Sequence, residues 1–150
     1  MRIGRRLALD PGTARIGVAV SDRDGILASP QESLPGSDRT EAVAALDHLI
    51  TDVEPIEIIV GLPRSMDGSD GAAAQKAREF AAELAGRLSI PVRLVDERLS
   101  TVQAQRGLHA QGRSMRQSRN MIDSAAAAVV LQHALDAERA NGHAPGEVCS

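Results

Sequence analysis

Three acidic residues lie far apart in the sequence, each where a predicted strand or helix ends or begins: Asp10, Glu97 and Asp123. Each of them follows or joins an apolar run, so its carboxylate would emerge from packed, water-poor structure. Because desolvating an unpaired carboxylate is costly, each one needs a cation or hydrogen-bond donors. If the three converge, they form the oxygen-rich kind of site that Mg²⁺ or Mn²⁺ prefers. The pattern therefore predicts a metal centre that supports catalysis.

Asp10 and Asp123 also have purely structural explanations, and Glu97 has an alternative in the acid beside it. Asp10 precedes Pro11-Gly12 and could form an Asx-type turn. Asp123 in the first turn of a predicted helix would interact favourably with the helix dipole, by about 0.3–1 kcal/mol. Asp96 precedes Glu97, and alternation along a strand sends these two side chains to opposite faces, so that only one can join the site. The residues alone leave the choice between Asp96 and Glu97 open.

The elements that must position these residues change character along the chain. Three predicted strands in the first third are followed by alternating helices and strands, in the order βββαβαβαα. This order predicts an α/β fold with a mixed five-stranded sheet, in which an antiparallel meander precedes parallel strands and helices pack on the sheet. The strands ending at Asp10 and near Gly61 and Asp96 can be mutually parallel. Their carboxyl ends then share one edge, which makes Asp10 and Glu97 neighbours.

The predicted helices are defined by apolar residues at spacings of three and four. Ser37 or Asp38 can cap the first helix, and Pro55 ends it. Gly61-Leu62-Pro63 is predicted to break the following strand. Two further helical segments are predicted at 101–111 and 121–139. The predicted apolar faces are Val43, Leu46, Ile50 and Val53 in the first helix, and Ala73, Ala77, Phe80, Leu84 and Leu88 in the second.

Length and composition predict one domain over residues 1–140 and a disordered polar tail over 141–150. No apolar run approaches the roughly 20 residues that a membrane helix needs, and the N-terminus lacks a signal-peptide pattern. The lone cysteine, Cys149, fits a reducing cytoplasm. The chain has no Trp or Tyr and one Phe. Stacking of nucleobases is therefore disfavoured, and contact with a nucleic acid would be made through phosphates.

The stretch from Arg98 to Ile122 carries five Arg and no acidic residue, in a chain of net charge −3. Charge runs are often solvated surface, but this run connects Glu97 to Asp123 and so flanks the predicted site. We expect it to contact phosphates. Near Asp10, the backbone amides of Gly12-Thr13 could hold a phosphate. The predicted nucleic-acid-binding residues are Thr13, Arg15, Arg64, Arg98, Arg106, Arg113, Arg116 and Arg119.

Four segments, in order and spacing, resemble the four motifs of the YqgF/RuvX family over roughly residues 5–136. They are Asp10 to Asp22, Gly61-Leu62-Pro63 with Met66-Asp67-Gly68, Asp96 to Thr101, and Asp123 to Ala126. The resemblance implies a ribonuclease-H-like fold and a nuclease that processes the 5′ end of precursor 16S ribosomal RNA. It also implies that Asp10, Glu97 and Asp123 are the catalytic, metal-binding residues. Ser100 stands where the family usually has Thr, and it keeps the hydroxyl.

Three functions remain to be distinguished. The first is a nuclease using Mg²⁺ or Mn²⁺, acting on precursor ribosomal RNA or, as the same family has been described, on Holliday junctions in DNA. The second is a non-catalytic RNA-binding factor in ribosome processing. The third is an actin-like ATPase, whose phosphate motif resembles Asp10 to Gly17, although such enzymes need two domains of this kind. The sequence leaves open whether the protein is a monomer or a homodimer.

Overall fold

The computed structural model describes residues 1–12, 14–63, 71–97 and 119–149, with the backbone alone described for Arg39 and residues 119–123. The helix predicted at 101–111 lies outside these ranges. So do six of the predicted nucleic-acid-binding residues, Thr13, Arg64, Arg98, Arg106, Arg113 and Arg116.

The described residues form six strands and three helices. They are β1 (Arg6–Pro11), β2 (Arg15–Ser21), β3 (Ala28–Pro35), α1 (Arg39–Val53), β4 (Glu57–Leu62), α2 (Ala72–Arg87), β5 (Val92–Asp96), α3 (Arg119–Asn141) and β6 (Glu147–Cys149). The strands join into one sheet in the order β3-β2-β1-β4-β5-β6. Strands β1, β2 and β3 pair antiparallel, whereas β4 pairs parallel with both β1 and β5. The predicted meander followed by parallel strands is confirmed.

Helices cover both faces of the sheet. α1 and α2 pack on one face and α3 packs on the other, so that two apolar cores form. Asp38, one of the two predicted caps, precedes α1 and its side chain accepts a hydrogen bond from the Glu41 N–H at 3.1 Å. Glu54 follows the last residue of α1 and takes a left-handed conformation just before Pro55. None of the helices described here is long and apolar enough to cross a membrane.

The predicted apolar face of α2 is partly wrong. Ala73 is exposed, and Phe80 and Leu88 are only half-buried. The residues that α2 buries are Ala74, Ala77, Ala81 and Leu84. These positions are three, four and three residues apart, and three of the four are alanines. Because alanine allows a helix to lie close to a sheet, the small residues rather than the larger apolar ones face the strands.

Alternation along the three parallel strands decides what α3 covers. Ala8, Ile59 and Val95 pack beneath α3, whereas the apolar residues next to each of them in the same strand pack beneath α1 and α2. The same alternation continues to both ends of these strands. The residues that it places on the α3 side are Asp10, Gly61 and Glu97 at the carboxyl ends, and Arg6, Glu57 and Arg93 at the amino ends.

The predicted disorder of the tail 141–150 is wrong for Glu147–Cys149, which form the sixth strand. β6 pairs antiparallel with β5. The turn before it has Gly146 at φ +84°, where a side chain would meet the backbone of Leu94. Arg78 adds an ion pair with Glu147 at 2.7 Å. A three-residue strand bound to a sheet edge by main-chain hydrogen bonds has no amphipathic pattern, so the sequence gives no signal for it.

Candidate active site

The structure brings Asp10 and Glu97 together at the carboxyl ends of the parallel strands. β1 and β5 both pair with β4, and Gly61 lies between the two acidic residues at the end of that central strand. The Glu97 N–H donates to the Leu62 carbonyl at 3.2 Å, which holds the chain beside β4 just past the end of β5. The two carboxyl groups hydrogen-bond to each other. The prediction that Asp10 and Glu97 become neighbours is confirmed.

Gly61 makes this contact possible. Strands on either side of a third strand are about 10 Å apart, so side chains that meet above the middle strand need an empty position beneath them. A Cβ on Gly61 would lie 3.7 Å from Asp10 Oδ1 and would collide with Glu97 Oε2. The prediction that Gly61-Leu62-Pro63 breaks the strand is wrong for Gly61 and Leu62, which belong to β4 and are buried, and the strand ends before Pro63. A glycine inside a strand signals this kind of close approach.

The surroundings of the pair raise the pKa values of both carboxyl groups. Burial raises the pKa of Asp10 to about 6. Burial and then the negative charge of Asp10 raise the pKa of Glu97 to about 7. In its protonated form Glu97 donates the hydrogen bond that Asp10 accepts. Because like charges this close resist ionising together, the pair without a cation retains a proton near neutral pH.

Asp96 does not take the place of Glu97 in this contact. It ends β5 and is half-buried, and alternation directs it away from the α3 side that Glu97 faces. Its negative charge contributes to the raised pKa of Glu97. Of the two neighbouring acids, Glu97 is therefore the one that contacts Asp10.

Asp123 lies near the start of α3, and only its backbone is described. The next residue, Ser124, is buried against the sheet, and its Oγ accepts a hydrogen bond from the Val18 N–H at 2.9 Å. Ala127 and Val130 are buried on the same side of α3. Among the side chains that the structure describes, no three His, Cys, Asp or Glu lie close enough together to hold a metal. Asp123 is not one of these side chains.

Two of the predicted nucleic-acid-binding residues lie in described elements. Arg15 is exposed at the start of β2, and its guanidinium donates to Ser33 Oγ at 3.2 Å. Its carbonyl accepts from the Gly12 N–H at 2.9 Å, which closes the turn after Asp10. Arg119 is the first residue of α3, and its side chain is outside the description. Arg15 therefore stands at the same edge of the sheet as the carboxyl pair.

A second group of charged residues, to which sequence reasoning assigned no role, occupies the opposite ends of the same strands. We call it the basal cluster; it consists of Arg2, Arg6, Glu57, Arg93 and Glu138. Arg6 contacts Glu138 at 2.7 Å, and Arg93 contacts Glu57 at 3.0 Å. Arg2 contacts both acids and binds Glu57 through two nitrogens at 3.2 Å each. Arg6, Glu57 and Glu138 are at most 4% exposed.

Comparison with known proteins identifies relatives over the whole chain. The model of the family described as "RuvX: Holliday junction resolvase" matches residues 4–137. A protein of Streptomyces coelicolor is 55% identical over 148 residues, which is 98% of this chain and 89% of the relative. A protein of Thermobifida fusca is 50% identical over 157 residues, covering 99% of this chain and 97% of the relative. Both are named "Putative pre-16S rRNA nuclease".

Solved structures show the same fold at low sequence identity. RuvC of Thermus thermophilus in complex with a Holliday junction substrate has a TM-score of 0.53 at 18% identity, over 95% of this chain and 99% of that chain. A second Thermus thermophilus RuvC structure has a TM-score of 0.51 at 19% identity, with the same coverage. The predicted ribonuclease-H-like fold is confirmed. With the family model matching 134 residues in sequence, this chain belongs to the RuvX family of nucleases, which are hydrolases acting on phosphodiester bonds.

Proposed function

We propose that this protein uses Mg²⁺ or Mn²⁺ to hydrolyse phosphodiester bonds at the 5′ end of precursor 16S ribosomal RNA. The observation that carries the proposal is the contact between the Asp10 and Glu97 carboxyl groups above Gly61, at the edge of the sheet near the start of α3. The names of the relatives support the choice of substrate. A role of this protein in processing ribosomal RNA would also agree with the prediction that it is cytoplasmic.

The described residues fit a hard divalent cation. Two carboxyl groups supply oxygen ligands, and the missing side chain of Gly61 leaves room for them. Their raised pKa values reflect burial and, for Glu97, repulsion by Asp10, both of which a bound dication would offset. Asp123 completes the proposed ligand set of Asp10, Glu97 and Asp123. When bound, the metal would supply an activated water and stabilise the leaving 3′ oxygen.

The chain's own residues prepare this site in two ways. Ala8, Ile59 and Val95 form an apolar layer directly behind the carboxyl pair on the α3 side. This layer excludes water from beneath the site and so strengthens the attraction between the carboxylates and a cation. Arg15, at the same edge, is placed to contact a phosphate of the substrate, and we assign the same role to the predicted arginines between Glu97 and Asp123.

A DNA junction is the second candidate substrate. It is favoured by the family description and by the shared fold with RuvC. Arginine binds phosphates of RNA and DNA alike, so the residues proposed here serve either substrate. Symmetric cutting of a junction would require a two-fold dimer, whereas processing of an RNA end would not.

The test is a cleavage assay with Mg²⁺ or Mn²⁺ on a labelled precursor-16S leader RNA and on a four-way DNA junction. Wild type is compared with Asp10→Asn and with the control Asp96→Asn, which changes the neighbouring acid outside the carboxyl contact. We expect cleavage of the RNA, a loss of at least about 10³-fold in Asp10→Asn, and less than about a fivefold change in Asp96→Asn. Protein is quantified by peptide absorbance, because the chain has no Trp or Tyr.

The alternatives give different results in the same assay. Symmetric cutting of the junction without cleavage of the RNA would reassign the enzyme to DNA recombination. Tight RNA binding without any cleavage would support a non-catalytic processing factor. Full activity of Asp10→Asn would remove Asp10 from the proposed metal site.

A further inference from the structure

Ser124 makes a buried hydrogen bond that joins α3 to the sheet. Its side chain is fully buried, and its Oγ accepts the Val18 N–H at 2.9 Å. The bond lies where the pairing of β2 with β3 shifts register, between Ile16 and Val18. Such a shift disrupts the strand ladder locally, so a hydroxyl from a helix can satisfy a strand N–H there.

This bond lies beside the proposed metal site. Val18 pairs with Leu9, and the adjacent pair in the same ladder is Asp10 with Gly17. Ser124 directly follows Asp123 on α3. One hydrogen bond therefore joins the strand next to Asp10 to the helical turn that carries Asp123.

Other contacts of α3 do not determine its position at this end equally well. Further along the helix, Ala127, Val130 and Leu131 contact the sheet through apolar surface, which is not directional. Gln132 bonds to the backbone of Ala28 and Ile26, eight residues beyond Ser124 or about 12 Å along the helix. Within the described residues, the Ser124 hydroxyl is therefore the directional contact to the sheet nearest to Asp123.

We propose that the Ser124 hydroxyl is a positioning group that holds the start of α3 against β2 and thereby places Asp123 beside Asp10 and Glu97. The inference rests on the proposed function, in which Asp123 is the third metal ligand. Groups that orient ligands in this way typically change metal affinity or activity by about 10- to 100-fold when they are removed.

The chain contains a matched control for this bond. Ser21 is also buried, and its Oγ accepts a hydrogen bond from a strand N–H, that of Arg6, at the same distance of 2.9 Å. Arg6 lies at the amino end of β1, at the opposite edge from Asp10. Ser21→Ala therefore removes the same kind of bond without touching the proposed site, and both alanine variants should lose similar stability.

The test compares wild type, Ser124→Ala, Ser124→Thr and Ser21→Ala. In Ser124→Ala we expect kcat to fall about tenfold or more with KM nearly unchanged, and the Mn²⁺ concentration for half-maximal thermal stabilisation to rise about tenfold. Ser124→Thr restores the acceptor and should recover most of both losses. Ser21→Ala should leave kcat and the Mn²⁺ requirement unchanged. The proposal would be overturned if Ser124→Ala lost as much stability as Ser21→Ala but kept the wild-type kcat and the wild-type Mn²⁺ requirement.

Amide exchange without metal or substrate separates this inference from the proposed function. Ser124→Ala should exchange about fivefold faster at Val18 and in the first turns of α3, whereas Ser21→Ala should not. If wild type neither cleaves nor responds to Mn²⁺, the proposed function fails, and exchange still tests the anchoring by Ser124. Unchanged exchange at Val18 and Asp123 in Ser124→Ala would overturn the anchoring even in an active nuclease.

Discussion

On the face of the sheet that α3 covers, acidic side chains have opposite surroundings at the amino and carboxyl ends of the parallel strands. In the basal cluster, each carboxylate contacts two arginines. Burial acts to raise the pKa of Glu138, but hydrogen bonds from Arg2 and the charges of Arg2 and Arg6 outweigh it and lower that pKa. At the other end, Asp10 and Glu97 contact each other and their pKa values rise.

The difference shows how one face can combine stability with a reactive site. Acids matched with guanidinium groups contribute to holding α3 and the amino-terminal segment on the sheet. Acids matched with each other are unfavourable when both are charged, and a bound cation removes that cost. Perturbed pKa values of this kind are typical of functional sites. We therefore expect the same acid-to-amide change to have opposite effects at the two ends.

The largest expected effect on folding is at the basal cluster. Glu138→Gln removes the charge that balances the buried Arg6, so the free energy of unfolding should fall by about 3 kcal/mol. Asp10→Asn in the absence of metal should instead raise it by about 1 kcal/mol at neutral pH, because it removes repulsion of Glu97. Urea unfolding followed by circular dichroism measures both. Destabilisation by both variants to the same extent would abolish the contrast between the two ends.

The next prediction concerns Gly61, the position without a side chain above which the two acids meet. Gly61→Ala places a Cβ against Glu97 Oε2 and should displace that carboxylate, lowering kcat by about 100-fold. Gly86→Ala is the matched control, because a Cβ there meets nothing within 4 Å. It should leave kcat unchanged and raise stability by up to about 1 kcal/mol, since Gly86 lies within α2. Equal kcat in the two variants would show that Gly61 does not shape the site.

The smallest effect is the pH dependence of stability without metal. The folded pKa values of Asp10 and Glu97 are raised, so their contribution is fully present below the unfolded pKa of about 4 and is lost as pH rises through about 6 to 7. The folded pKa of Glu138 is lowered, so its contribution is present above the ordinary value and is lost as pH falls through the folded one.

Two variants separate these contributions. The double variant Asp10→Asn, Glu97→Gln should remove about 1–2 kcal/mol of the fall in unfolding free energy between about pH 5 and pH 8. Glu138→Gln should leave that fall intact and flatten only the acid side. Chemical denaturation from about pH 3 to about pH 8, with a chelator present, measures both. A fall that persists in the double variant would assign the neutral-pH dependence to other groups.

Much of the architecture follows from patterns that are local in the sequence. The alternation of strand residues and the spacing of helical residues predicted the order of elements, and turn residues marked most of their ends. Parallel strands place their carboxyl ends at one edge, and this rule was sufficient to predict that Asp10 and Glu97 meet. The side of α2 that faces the sheet was harder to predict, because Ala74 and Ala81 are less apolar than Phe80 and Leu88.

The sequence by itself therefore determined the fold class, the strands that carry Asp10 and Glu97, and the family motifs. Only the tertiary structure decided that the two acids meet above Gly61, that Ser124 bonds to Val18, and that Glu147–Cys149 add a strand. The physical reason is that these contacts depend on the register between elements far apart in the chain. Local periodicity sets which face a residue occupies, but it does not encode which residue of another strand or helix lies opposite.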